Sequence, residues 1–214
     1  MTAMAPTAPR PWLHMWLQPR ATVRGILSSS SLGKVLLLAA GSGAVQSFVQ
    51  GYSTHVGNRG PVPGILIVVF ALVIGSVWGL LQLHVVAGAL YLVGKWTGAP
   101  ASFSSVRKAL AWAAVPQTAV LPIWVGATLI FGRFLYAEPQ LALANMPVAL
   151  LAQALVSIAT FICAVWWLAL QVLVVAEVQR VSAWRSLGHF ALGGLMLAVV
   201  VLIIIVPIIA SSRR

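Results

Sequence analysis

The amino-acid sequence predicts an all-α integral membrane protein, a bundle of five transmembrane helices preceded by a short interfacial amphipathic helix. Three observations predict this fold class. Of the 214 residues, 61% are hydrophobic, only 7% are charged, and the charged residues leave five long uncharged stretches. A soluble domain carries about 25% charged residues. Most of this protein's surface is therefore expected to face lipid rather than water.

The uncharged stretches define the expected spans. They cover residues 35–58, 60–94, 109–132, 139–176 and 186–212. A helix needs about 20 apolar residues to cross the hydrocarbon core, so each stretch accommodates one helix. We predict spans near 34–50, 63–94, 109–134, 148–176 and 187–210. An N-terminal arm over 1–33 and an external tail over 211–214 complete the chain.

The second span is long for a single crossing, and it allows two interpretations. A re-entrant hairpin near Gly75 and Ser76 would leave two halves that are each too short to cross the bilayer. It would also make the numbers of basic residues on the two sides of the membrane nearly equal. One long helix, tilted or kinked, is therefore the prediction, with the hairpin as its alternative.

The thirteen lysine and arginine residues set the expected orientation. With a cytoplasmic N-terminus, nine of them fall on the cytoplasmic side and four outside, as the positive-inside rule requires. This asymmetry predicts a cytoplasmic N-terminus. We expect a multi-pass protein of the cell (inner) membrane that contacts anionic lipid headgroups. The net charge of +11 invites a nucleic-acid-binding interpretation, but the spread of the basic residues along the span borders argues against it.

The arm contains the stretch "PWLHMWLQPRATVRGIL", residues 11–27. A helix that starts here would place Trp12 and Trp16 on one face, Pro19 would end it, and Thr22 would cap a second short helix. Tryptophan favours the membrane interface and arginine favours anionic phosphate. The predicted lipid or partner interface consists of Trp12, Trp16, Arg20, Thr22 and Arg24. Whether it only anchors the arm or also docks a protein partner stays open, and we expect no cleaved leader.

The arm motif W-x3-W-x2-P-R-x-T-x-R-x-I-L resembles the bacterial branch of the Yip (Ypt-interacting protein) domain family. The stretches "GAPASFSSVRKALAWAAVPQ" and "LVVAEVQRVSAWRSLGHFAL" are similar to its connections into the third span and between the last two spans. The resemblance implies a five-span helical bundle with a cytoplasmic N-terminus. Eukaryotic relatives associate with prenylated Rab GTPases, but the sequence lacks a "DLYGP"-like segment, so we do not extend Rab binding to it.

Little in the sequence suits catalysis. The two acidic residues, Glu138 and Glu177, are predicted on opposite membrane faces and cannot form a paired-carboxylate site. Nucleophile-elbow, zinc-protease and phosphate-loop patterns do not occur. Cys163 is the one cysteine and the four histidines are isolated, so no metal-ligand spacing exists. We therefore expect no enzymatic activity, no metal site and no cofactor.

Polar residues inside the predicted spans are costly in lipid and are candidates for function. They are Gln82, His84, Gln117, Gln153 and Gln171. The first interpretation is that they form hydrogen bonds between helices. The second is that several converge to form a path for a solute or proton.

Glu177 is the single acidic residue predicted at the cytoplasmic end of the fourth span. A local ion pair with Arg180, three residues later, is the simplest expectation. An ion pair with Arg107 or Lys108 would instead join two cytoplasmic connections.

Small residues predict close helix contacts at "GSGA" (41–44) and at Gly75 and Gly79. Together these features favour a non-enzymatic membrane protein that organises the membrane or recruits a partner. The alternative is a small-solute or ion transporter or channel. That alternative requires a polar cavity, which we expect to be lined by Gln82, His84 and Gln117. The sequence predicts no oligomeric state.

Overall fold

The structure, a computed structural model, describes the backbone of residues 11–212 and the side chains of residues 11–204. Within that range it consists of helices joined by short connections, with no strand. The helices are α1 (Pro11–Leu17), α2 (Pro19–Ser29), α3 (Leu32–Ser53), α4 (Gly64–Trp96), α5 (Phe103–Ala113), α6 (Val115–Ala119), α7 (Leu121–Phe131), α8 (Pro139–Asn145), α9 (Val148–Gln179) and α10 (Ala183–Ser212). Short 3-10 helices cover Val56–Arg59 and Gly132–Tyr136.

Five helical segments are long and apolar enough to cross a membrane, which confirms the predicted fold class. They are Leu32–Ser53, Gly64–Trp96, Phe103–Tyr136, Val148–Gln179 and Ala183–Ile204. Each overlaps one predicted span, and the third begins six residues earlier than predicted. The predicted arm and tail extend beyond the described residues at 1–10 and 213–214.

The second and third spans differ in continuity. The second is one helix with Gly75 in its interior, so the single-helix prediction is confirmed and the hairpin alternative is wrong. The third is divided into α5, α6 and α7 at Ala114 and Val120. Its interruptions lie close to Pro116 and Pro122, because proline lacks the N–H that would continue the helical ladder.

The bundle has two distinct ends. The arm end carries α1, α2 and the connections 97–102 and 180–182; the far end carries the connections 54–63 and 132–147. Antiparallel α3 and α4 make the most extensive helix contact in the bundle. With 33 residues, α4 is about 50 Å long, whereas α3 with 22 residues is about 33 Å long. Because Gly79 of α4 lies beside Ala39 of α3, the extra length lies at the arm end, where the C-terminal part of α4 extends past the start of α3.

Glycines allow α3 and α4 to pack in close contact. A Cβ atom built on Gly43 would lie 2.5 Å from the Cα of Gly79, and one on Gly75 would lie 2.7 Å from the Cα of Ala44. Real Cβ atoms do not approach backbone this closely, so the two helices are in direct backbone contact. The close approach predicted from the small residues is confirmed at this crossing.

Buried apolar side chains form two clusters, one toward each end. The arm-end cluster joins the arm to α3, α4, α5 and α9, with Met15, Val23, Leu90, Trp112 and Val175 among its members. The far-end cluster is built around Trp124, which stacks on Phe48 and Tyr136 with ring centroids 5.8 and 6.1 Å away.

Candidate functional site: the arm end and the bundle interior

The arm packs its apolar face onto the bundle. Met15 and Val23 are fully buried and Ile26 nearly so, all within the arm-end cluster. Thr22 is also buried, with 3% of its surface exposed. The predicted role of Thr22 at a lipid or partner surface does not fit this position.

The predicted cap at Thr22 is wrong. Helix α2 begins at Pro19, with Gln18 as its N-cap, and Thr22 lies inside the helix, where its Oγ1 donates to the carbonyl oxygen of Gln18 at 2.8 Å. Proline is favoured at the first helical position because its missing N–H would be unpaired there. Pro19 therefore both follows the end of α1 and starts α2.

Three polar contacts fasten the arm. Arg24 Nε lies 2.7 Å from Glu177 Oε1 on α9. On α5, Lys108 Nζ donates to the carbonyl oxygen of Leu27 at 2.7 Å. Trp112 Nε1, also on α5, donates to Ser30 Oγ at 2.8 Å. The arm is thus tied to two different helices of the bundle.

Glu177 has a partner that the sequence did not indicate. Both predicted partnerships, with Arg180 and with Arg107 or Lys108, are wrong. Arg180 follows the end of α9 in the left-handed conformation (φ 54°), which takes it out of the helical register. The docked arm brings Arg24 to the carboxylate instead.

The outer surface of the arm end is apolar and aromatic. On α1, 43% of Trp12, 59% of Leu13 and 84% of Leu17 is exposed, and 71% of Trp96 and 83% of Trp184 is exposed on the neighbouring helix ends. Trp16 is half-buried, whereas Arg20 and Arg24 are exposed. Trp12, Arg20 and Arg24 are therefore accessible from outside the bundle, and their role at a lipid or partner interface stays a prediction.

Two of the intramembrane polar residues join helices. Ser42 Oγ on α3 donates to Gln117 Oε1 at 2.6 Å. Gln153 Nε2 on α9 donates to the carbonyl oxygens of Phe134 and Ala137, at 2.9 and 3.0 Å. For Gln117 and Gln153 the interhelical hydrogen bonds predicted from the sequence are confirmed.

A cavity of about 230 Å³, open on one side, lies between α3, α4, α5, α9 and α10. Its polar lining comes from Ser42, Gln82 and Gln171, and Trp167 and Phe190 contribute aromatic surface. Within the described part of the chain, neither glutamine amide has a hydrogen-bond partner. The cavity thus offers two free amide groups in an otherwise apolar setting.

The predicted set of cavity residues is only partly correct. Gln82 lines the cavity, but Gln117 is beside it, bonded to Ser42. His84 points elsewhere, with Nδ1 2.8 Å from the carbonyl oxygen of Leu80, because it is two residues from Gln82 and so lies on a different helix face. Gln171, from α9, completes the lining instead.

A further buried network was not found from the sequence. Gln179 Nε2 donates to the carbonyl oxygen of Leu90 at 2.8 Å. Gln179 Oε1 accepts from His189 Nδ1, and His189 Nε2 lies 3.1 Å from Thr97 Oγ1. The network joins the ends of α4, α9 and α10. No spacing in the sequence reveals it, since its members come from three separate helices.

The fold and these sites define a multi-pass α-helical membrane protein. Comparisons with protein-family models, with curated proteins and with solved structures found no match for this chain. The resemblance to the Yip domain family therefore stays a prediction. Among the described residues, no group of three histidine, cysteine or acidic side chains is placed to hold a metal ion.

Proposed function

We propose that this chain is a non-enzymatic, Yip-like protein of the cell (inner) membrane that organises the bilayer by holding its N-terminal arm in one leaflet. The supporting observation is the position of the arm. One face of it is buried in the arm-end cluster through Met15, Val23 and Ile26, while Leu13 and Leu17 remain exposed on the other face.

The physical reason is the asymmetry between the two ends of the bundle. The five spans occupy both leaflets, but α1 and α2, with 7 and 11 residues, lie only at the arm end. Helices of this size are about 10 Å wide and together about 27 Å long. They enlarge the protein's cross-section in one leaflet, and this is the geometry by which amphipathic helices respond to membrane curvature.

The charge distribution supports a cytoplasmic arm end. Only Arg59 and Arg133 are basic among the described residues of the far end. The arm end carries Arg20, Arg24, Lys34, Lys95, Arg107, Lys108, Arg180 and Arg185. A basic arm end with exposed tryptophans suits the anionic cytoplasmic leaflet.

The proposal is tested by reconstituting the purified protein, arm end outward, into anionic vesicles of graded diameter. We expect the number of proteins per lipid area to rise as the diameter falls. A Leu13→Ser, Leu17→Ser double variant should lose this preference, because the exposed face of α1 no longer inserts between lipids. A Leu143→Ser variant is the matched control, since Leu143 is 58% exposed on the short helix α8 at the far end.

Two results would refute the proposal. One is an even distribution of the unaltered protein over all vesicle sizes. The other is a double variant that sorts like the unaltered protein.

A small-solute transporter is the second candidate, favoured by the cavity with the free amides of Gln82 and Gln171. The stacked rings of Phe48, Trp124 and Tyr136 fill the bundle between this cavity and the far end, so transport requires that they move. Solute flux into the same vesicles, lost in a Gln82→Leu variant while vesicle sorting is unchanged, would favour the transporter.

A further inference from the structure

Arg107 is a half-buried cation for which the described residues 11–204 supply no anion. It lies on α5 beside α4. The protein has two acidic residues: Glu177 is paired with Arg24, and Glu138 is exposed at the far end, where its N–H donates to Asn58. No carboxylate in the described residues is within ion-pair distance of Arg107.

His84 fixes the orientation of the Arg107 guanidinium. His84 Nδ1 lies 2.8 Å from the carbonyl oxygen of Leu80, and a carbonyl only accepts, so Nδ1 carries the proton. The other ring nitrogen, Nε2, is then an acceptor for Arg107 Nη1 at 3.3 Å. The ring of Phe103 supports the guanidinium, with Cζ 5.6 Å from the ring centroid.

The hydrogen-bonding capacity of Arg107 is mostly unused. A guanidinium has five N–H groups, and within residues 11–204 the structure gives an acceptor to one of them, the bond to His84. The Nε of Arg107 is buried without any partner. A half-buried cation in this state calls for an anion with several acceptor oxygens.

A second cation belongs to the same surface. Lys95 Nζ lies 5.6 Å from the ring centroid of Tyr91. Tyr91 in turn meets Phe103 edge to face, with centroids 6.2 Å apart. Lys95, Tyr91, Phe103 and Arg107 thus form a continuous strip along α4 and α5, with a positive charge at each end and aromatic rings between.

The end of this strip that holds His84 and Arg107 lies at the depth of the lipid headgroups. A Cβ on Gly79 would touch the backbone of Ala39 and Gly43, so Ala39 and Gly79 lie at one height on antiparallel helices. Lys34 is five residues from Ala39 and His84 five residues from Gly79, which puts both at about the same height. The exposed charge of Lys34 marks the end of the hydrocarbon region there.

We propose that Arg107 forms a binding site for the phosphate group of an anionic membrane lipid, with His84 positioning the guanidinium and Lys95 adding a second positive charge at the other end of the strip. A planar guanidinium matches phosphate oxygens bidentately. The sequence predicted a headgroup contact for Arg24, but Arg24 is paired with Glu177. Arg107 has no such carboxylate partner among the described residues. Because this site does not involve the exposed face of α1, a negative result for the site leaves the proposed function untouched, and the reverse also holds.

The test is native mass spectrometry of the full-length protein in detergent with added phosphatidylglycerol, phosphatidylcholine or inorganic phosphate. We expect phosphatidylglycerol to be retained more than phosphatidylcholine. An Arg107→Gln variant should bind phosphatidylglycerol about tenfold more weakly, because one charge-assisted bidentate contact is lost. Arg107→Lys should be intermediate, since it keeps the charge and loses the fork geometry. Arg185→Gln, which removes an exposed arm-end charge, is the control and should bind like the unaltered protein.

Three outcomes would overturn the site as proposed. Equal retention of phosphatidylglycerol and phosphatidylcholine would remove the preference for an anion. An equal loss of phosphatidylglycerol binding in Arg107→Gln and Arg185→Gln would show that the loss comes from the change in net charge alone. Competition by inorganic phosphate that abolishes lipid retention at equal concentration would make a free phosphate ion, and not a lipid, the ligand. Thermal unfolding of each variant confirms that it remains folded.

Discussion

The sharpest prediction concerns the glycine contact between α3 and α4. A Cβ added at Gly43 would lie 2.5 Å from both the Cα and the N of Gly79. Ordinary carbon contacts are about 3.5–4.0 Å, so Gly43→Ala moves the two helices about 1 Å farther apart at their crossing. These atoms are backbone, as is the carbonyl oxygen of Gly75, which lies closer still, so no side-chain rotation relieves the clash.

The expected cost follows from that displacement. A gap of about 1 Å forfeits up to half of the dispersion energy of the atoms that it separates, and overpacking of this kind costs about 1–3 kcal/mol. We expect Gly43→Ala to lower the free energy of unfolding by about 2 kcal/mol. For a chain of this length the corresponding fall in Tm is about 4–8 °C.

Matched glycines in the same helices provide the controls. A Cβ on Gly33 in α3 or on Gly88 in α4 meets nothing within 4 Å. Alanine is about 1 kcal/mol more favourable than glycine in a helix interior, so Gly88→Ala should be neutral or stabilising, and Gly33→Ala near the start of α3 should be neutral. Gly79→Ala, whose Cβ would lie 2.8 Å from the Cα of Gly43, should behave like Gly43→Ala.

Thermal unfolding in one detergent, followed by far-ultraviolet circular dichroism, compares the four variants with the unaltered protein. Every variant makes the same chemical change, so composition effects cancel within each helix. If Gly43→Ala and Gly79→Ala unfold at the temperature of their controls, the direct backbone contact of α3 and α4 is refuted.

Two further predictions concern polar contacts. Gln153→Leu should lower the free energy of unfolding by about 2–4 kcal/mol, since it leaves two carbonyl oxygens without their donor. The same thermal unfolding assay checks this, with Gln140→Leu on the exposed surface of α8 as the control. Equal stability of the two variants would contradict the prediction. Glu177→Gln should change global stability by less than about 1 kcal/mol, because Arg24 is 67% exposed and water screens the ion pair. It should nevertheless speed hydrogen exchange in α2 relative to α5, and unchanged exchange in α2 would show that the ion pair does not hold the arm.

The fold was predictable because membrane insertion depends on local sequence. Whether a segment crosses lipid depends on its own length and apolarity. Both can be read directly from the uncharged stretches between the charged residues. The five spans therefore emerged without any knowledge of how they pack. The glycines 43, 75 and 79 were predictable for a similar reason, since small residues in an apolar run have few roles other than close packing.

The site was less predictable because it is built from pairs that are distant in sequence. Arg24 and Glu177 are 153 positions apart, and nothing in either neighbourhood indicates the other. Gln82 and Gln171 likewise meet at one cavity only after α4 and α9 are packed. For Thr22 the error was local, because Pro19 follows the end of α1 and also occupies the first turn of α2, which places Thr22 inside the helix.

The docking of the arm has a consequence for the proposed function. A free amphipathic helix binds a membrane reversibly, because it must become ordered as it inserts. Here Met15 and Val23 share one buried cluster with Leu90 and Val175 of the transmembrane helices, so folding of the bundle already orders the arm. On the proposed function, α1 would therefore deform its leaflet constitutively rather than in response to a signal. Destabilising the arm-end cluster should consequently weaken curvature preference and protein stability together, whereas serine at exposed Leu13 and Leu17 should weaken curvature preference alone.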